Sequence, residues 1–261
     1  MKKKMLVTLL VGVLPCAGVS ATGPFAPAAG QPGTTAISKD DPVIIDWASG
    51  WRDYVPGAEV DEVWRTPDKA LGPAVGDSSD VVSLGRGGSI TMTFNKPISN
   101  GPGADFSIFE NSINDTFLEL AWVEVSSDGS NFSRFSGVSF TDAPVNGFGN
   151  IDPTNVDGFA GKYRQGFGSP FDLQDLEDSD GLDINAINYI RLIDVVGDGS
   201  LVDDFPSDQG GPHVLYDPYP TIGSAGFDLD AVGVINAVPI PAAFWLFTSS
   251  LIGLGLFRKH R

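Results

Sequence analysis

The chain has 261 residues, with 33 Asp and Glu against 16 Lys and Arg, and a formal net charge of −17. The two ends carry six of those Lys and Arg and no acid, which leaves −23 on the stretch between them. A body this acidic has no basic face for phosphates, which excludes nucleic acid as a partner, and a divalent metal is the natural counter-ion for so many carboxylates.

At the N-terminus, Lys2, Lys3 and Lys4 precede an apolar run over 5–14. That run has the length of a signal-peptide core and is too short to span a bilayer. Val19, Ser20 and Ala21 supply the small residues a signal peptidase needs, so 1–21 reads as a signal peptide cut after Ala21. Cys16 follows Pro15 rather than a small residue, a poor context for lipid attachment. As it is the only cysteine, the mature body has no disulfide despite an oxidising destination, and calcium is a common substitute for the missing staples.

Residues 22–40 begin with a stretch rich in Pro, Gly and Ala and read as a flexible lead-in. The body, 41–237, is long enough to bury one sizeable core. Its many Gly and Pro residues mark turns, and no long segment has a helical period. Strands are expected over 42–47, 89–94, 105–110, 118–126, 131–138, 187–195 and 227–235. In the clearest of them Ala121, Val123 and Val125 share one face, with Trp122 and Glu124 on the other. Asp128-Gly129 is a tight-turn signal after it. The stretches 141–184 and 197–211 read as loops. Short strands between turn residues make an all-β sandwich or barrel the expected class.

The acids fall into clusters. Asp194 and Asp198 open one with Asp203 and Asp204. Asp228 and Asp230, two apart in a strand, are expected on one face, with Phe227, Leu229 and Ala231 turned to the core. Glu110, followed by Asn111, closes the strand 105–110. Calcium takes six to eight oxygens, often from separate loops, so Asp194, Asp198, Asp228, Asp230 and Glu110 are the candidate calcium ligands. No EF-hand is present: with Gly181 as the loop glycine, Leu176 and Ile187 occupy positions that need acids. The alternative role for these acids is to cap turns and keep the surface solvated.

Among the aromatics, Trp51, Trp64, Tyr216 and Tyr219 are the candidate glycan contacts, since exposed rings stack on sugar faces. Their alternative role is core filling. The body has one histidine, His213, and no nucleophile-elbow sequence, so neither a serine triad nor a zinc site is expected. A glycosidase needs only two carboxylates at the right separation, which this composition leaves open.

The chain closes with Val238-Pro239-Ile240-Pro241-Ala242-Ala243, an uncharged run over 242–257, and the basic residues Arg258, Lys259, His260 and Arg261. The run is at the lower limit for a single spanning helix, and the basic end marks the cytoplasmic side. In order and composition, 238–261 resembles the PEP-CTERM sorting tails of Gram-negative bacteria, in their VPLPA-type variant, with Ile240 where the founding motif has Glu. The resemblance implies processing by an exosortase-like sorting protease, a transient membrane intermediate through the C-terminal helix, and delivery to the cell surface or the exopolysaccharide matrix.

The body resembles a class of secreted bacterial surface proteins that often carry such tails. The likeness rests on Ala70-Leu71-Gly72-Pro73, on Phe109-Glu110-Asn111, on Trp122-Val123-Glu124-Val125-Ser126 and on Gly226-Phe227-Asp228-Leu229-Asp230-Ala231-Val232. It implies a jelly-roll, galactose-binding-like β-sandwich. The function expected from all this is that of an exported, non-catalytic cell-surface or matrix protein, calcium-stabilised and glycan-binding. A structural component without a ligand and a polysaccharide hydrolase are the alternatives.

Overall fold

The computed structural model describes residues 23–238, so the expected signal peptide over 1–21 and the sorting tail beyond Val238 lie outside the described residues. The chain within those limits is all-β. In order the first strands are β1 (Ile37–Ser38), β2 (Asp46–Trp47), β3 (Gly50–Val55), β4 (Val82–Ser83), β5 (Ser89–Ile98), β6 (Phe106–Glu110), β7 (Ala121–Ser126) and β8 (Ser133–Arg134). They are followed by β9 (Val138–Ser139), β10 (Val156–Asp157), β11 (Phe167–Phe171), β12 (Ile187–Asp194), β13 (Asp198–Val202), β14 (Val214–Tyr216) and β15 (Asp228–Val234). Short 3-10 turns are the helical pieces among the described residues. No described helix is long and apolar enough to cross a membrane.

Two antiparallel sheets carry most of these strands. One runs β1-β11-β6-β15-β2, with β4 also on β15; the other runs β3-β5-β12-β7-β8. Alternating side chains explain what holds them. Ile90 and Met92 of β5, Val123 and Val125 of β7, and Ile190 and Leu192 of β12 share one apolar cluster with Phe106, Ile108, Leu229 and Val232 from the first sheet. Each fully buried side chain of this size contributes about 1.5–3 kcal/mol of transfer free energy. β7 is buried on both faces, because Trp122 enters a second cluster with Leu118, Leu120, Ile151, Phe159 and Leu215. Ile151 and Phe159 belong to the segment expected to be loop: it folds over β7, and it contains β10 and β11.

From residue 23 the lead-in lies against the body. The Gly23 N–H donates to Thr154 Oγ1 at 2.7 Å, the Phe25 ring stacks on Phe140 at 5.6 Å, and Ile37 and Ser38 pair with Gly168 and Phe167. The last strand departs from strict alternation. Leu229 pairs with Glu110 and Ala231 with Phe109, so β15 spends an extra residue, Asp230, in a bulge. The bulge reverses the facing: Leu229 and Val232 enter the main core, whereas Ala231 packs with Phe109 beside Trp47. The expectation that Phe227, Leu229 and Ala231 share a core face is therefore corrected at Ala231. The same bulge separates the surroundings of Asp228 and Asp230.

Candidate functional site

The C-terminal end of β6, the N-terminal end of β15 and the extended segment before β7 meet at one end of the first sheet. Each brings a buried acid: Glu110 closes β6, Asp228 opens β15, and Glu119 stands between Leu118 and Leu120. The leucines pack into the second apolar cluster, and alternation in extended chain turns Glu119 the other way. The three acids are only 1%, 3% and 2% exposed for Glu110, Glu119 and Asp228. Each has one satisfied side at most. The Ser112 N–H donates to Glu110 Oε2 at 2.7 Å, and the Asn111 amide donates to Asp228 Oδ2 at 3.1 Å. Glu110 Oε1, Glu119 Oε1 and Asp228 Oδ1 are buried without a hydrogen-bond partner.

The electrostatics follow from that burial. Desolvation, then the charge of Asp228, pushes Glu110 well above the ordinary carboxylate range. Desolvation, then Asp228 and Glu110, does the same to Glu119. Asp228 is pushed up to about 7 by burial, against the hydroxyls of Ser83 and Ser224 and the Asn111 amide. Asp217, buried nearby, is raised by desolvation and by Asp194, although the Leu120 N–H donates to it. None of these acids is ion-paired with a Lys, Arg or His among the described residues.

A cavity of about 240 Å³ opens above them, with Glu119, Asp228 and Asn111 in its wall beside Ser78, Thr221 and Ser224. Its rim is apolar. Trp64, Ile113, Phe117, Phe148 and Ile222 stand around it, and the Phe117 and Phe148 rings stack at 5.9 Å. Ile113, Phe148 and Ile222 are strongly exposed, at 64%, 86% and 73%. Large apolar side chains left in solvent around a polar pit are a feature of ligand-binding surfaces.

The structure distributes the expected ligands unevenly. Glu110 and Asp228 come together, and Glu119, which the sequence reading passed over, joins them. Asp194 stands apart as a staple: its oxygens accept from the Gly87 N–H at 2.8 Å and the Phe227 N–H at 2.7 Å. Burial pushes it to about 7 against those two bonds. A Cβ on Gly226 would come 2.4 Å from Asp194 Oδ1, and its φ of +67° also calls for glycine. Asp230 accepts from the Val75 N–H at 3.0 Å and the Gly76 N–H at 2.8 Å. Asp198 is exposed and accepts from the Ser200 N–H at 2.9 Å within its own turn. Among the described residues no three acidic, His or Cys side chains are gathered in ligating geometry.

The expected aromatic contacts do not form one cluster. Trp64 lines the pit. Trp51 donates its indole N–H to Asp68 at 2.7 Å and meets Tyr54 edge-on. Tyr216 borders a separate hollow with Phe140 and His213, and Tyr219 lies under the Arg86 guanidinium at 5.1 Å. His213 pairs through Nδ1 with Asp203 Oδ2 at 3.0 Å, packed against Phe140 and Phe205. Neither the protein families that have a sequence model nor the curated proteins give a match to this chain.

Proposed function

We propose that this protein is an exported, non-catalytic component of the cell surface or the exopolysaccharide matrix, and that it binds glycan in the pit beside Trp64. The two sheets are read as the faces of a jelly-roll, galactose-binding-like sandwich, and the pit lies at the loop end of that sandwich. Export and sorting to the surface rest on the two chain ends, through their likeness to a signal peptide and to a PEP-CTERM tail handled by an exosortase-like protease.

The single observation that carries the binding reading is the pit's construction. An indole and two phenyl rings stand over carboxylate, amide and hydroxyl groups in one cavity. Rings stack on the apolar face of a sugar, and acceptor oxygens below take its hydroxyl protons. The test is retention on immobilised exopolysaccharide and on a glycan array. The native chain is expected to bind, and Trp64→Ala to bind about tenfold more weakly, the loss of roughly 1.4 kcal/mol expected for one stacked ring. Absence of binding to every glycan and matrix extract, by a folded protein, sinks the reading.

One observation favours a second reading. Glu119 and Asp228 line the same cavity, and two carboxylates facing one pocket are what a glycosidase requires. Reducing sugar released from exopolysaccharide by the native chain, and not by Glu119→Gln, would replace binding with hydrolysis.

A further inference from the structure

We infer that a divalent-cation site, selective for calcium, lies at the pit, built by Glu119 and Asp228 of its wall together with Glu110, which is buried beside them and does not itself line the cavity. This deepens the binding reading at the same place, because a cation there would also meet the hydroxyls of a bound sugar; its test uses no sugar.

The inference starts from three buried oxygens without a hydrogen bond of ordinary geometry, Glu110 Oε1, Glu119 Oε1 and Asp228 Oδ1, of which Asp228 alone has hydroxyls, those of Ser83 and Ser224, close by. A buried carboxylate is normally paired, hydrogen-bonded, bound to a metal or neutralised by a proton. Pairing fails here, since no cationic side chain forms an ion pair with any of the three among the described residues. Protonation also removes the charge, and burial favours it; a cation is the alternative that leaves the acids ionised, and the two compete for the same oxygens. A cation that the three carboxylates closed upon would satisfy their free oxygens and cancel the repulsion among them.

The chemistry of the surroundings selects the ion. Every polar group offered is an oxygen or an amide: the three carboxylates, Asn111, and the hydroxyls of Ser83 and Ser224. No Cys or His lines the cavity, so the site suits a hard cation rather than zinc or copper. The donors come from three separate segments in an irregular arrangement, which suits calcium's variable six- to eight-fold shell better than magnesium's strict octahedron. The carboxylates do not converge on one point as they stand. Glu110 and Glu119 each have three side-chain torsions, so their carboxylates can close on an ion by rotamer change while the strands stay in register.

The test is a thermal melt of the full chain, purified in mild detergent and stripped with a chelator, then given calcium or magnesium without sugar. Calcium at about a hundredfold excess over its Kd is expected to raise the midpoint by roughly 5–10 °C, with a smaller response to magnesium. Glu119→Gln and Asp228→Asn keep the shape of the side chains, and each is expected to abolish most of the calcium shift while melting no lower than the stripped native chain. Should either variant fail to fold, terbium gives a second measurement on the native chain. Tryptophan-sensitised emission that calcium displaces, and that Trp64→Phe weakens, supports the site. No calcium shift at millimolar concentration in the folded native chain overturns the inference, as does a shift that both variants retain. Loss of glycan binding in Trp64→Ala with the calcium shift intact would bear on the sugar reading alone.

Discussion

At the start of β6, Asp105 is buried and fully engaged: the Gly101 N–H donates to it at 2.8 Å, the Leu173 N–H at 2.7 Å, and the Asn236 amide at 2.9 Å. At the other end of the same strand, Glu110 is equally buried, yet it meets the Ser112 N–H with one oxygen and nothing with the other. Asp194 and Asp230 follow Asp105 in gripping backbone amides, while Glu119 and Asp228 follow Glu110. A carboxylate whose lone pairs are spent on backbone N–H groups replaces the disulfides this body lacks, tying loops to strands. A carboxylate with a spare buried oxygen costs stability, and the proposed cation or sugar would offset that cost.

The comparison breaks most visibly at the staple. Asp105→Ala leaves the Gly101 and Leu173 amides without acceptors in a buried corner and is expected to cost about 2–4 kcal/mol, measured by urea unfolding at pH 7. An effect below about 0.5 kcal/mol would mean that these bonds hold nothing and that engaged and spare acids are not different in kind.

A smaller effect is expected from pH, and it sharpens the contrast because burial raises several of these acids together. Asp194 and Asp228 are pushed to about 7, and Glu110, Glu119 and Asp217 well above their usual range. A carboxyl with a raised folded pKa holds its proton in the folded chain at pH values where the unfolded chain has lost it. Its stabilising contribution is therefore complete below about 4 and disappears as pH rises through about 7. The metal-free protein is expected to melt higher at pH 5 than at pH 8. Calcium should reverse that order, since it requires the ionised acids that protons occupy. A metal-free melt that rises from pH 5 to pH 8 would show that the spare acids are solvated.

Much of the fold was legible in the sequence where alternation was clean. Ser89–Ile98, Ala121–Ser126, Ile187–Asp194 and Asp228–Val234 stand close to where periodicity places them. Phe167–Phe171 was hidden by Gly168 and Pro170, which read as loop. It is tolerated because β1 reaches only Phe167 and Gly168, so Pro170 lies where β11 has a single neighbour. Gly50–Val55 was hidden because its Trp51 and Val55 face solvent rather than core. In the site, Glu110 and Asp228 were legible as acids at strand ends. Glu119 carried an unread signal, an acid between two leucines in an apolar strand pattern. For Asp194 and Asp230 a sequence displays the acid but not the distant backbone amides that donate to it.

The smallest expected effect falls on Asp198, the one expected ligand that is neither stapled to a distant loop nor placed in the pit. Its carboxylate caps its own turn through the Ser200 N–H, the Ser200 hydroxyl and then that N–H hold its pKa below the usual range, and it stands in solvent at the start of β13. An exposed cap of this kind is worth a few tenths of a kcal/mol. Asp198→Ala is expected to change stability by less than about 0.5 kcal/mol and to leave the calcium shift as it is in the native chain. A calcium shift that vanished in Asp198→Ala while surviving in Glu119→Gln would move the cation to the loop that holds Asp198, Asp203 and Asp204. In that event the spare oxygens of the pit would belong to water or to the sugar alone, and the division between engaged and unengaged acids would no longer locate the metal.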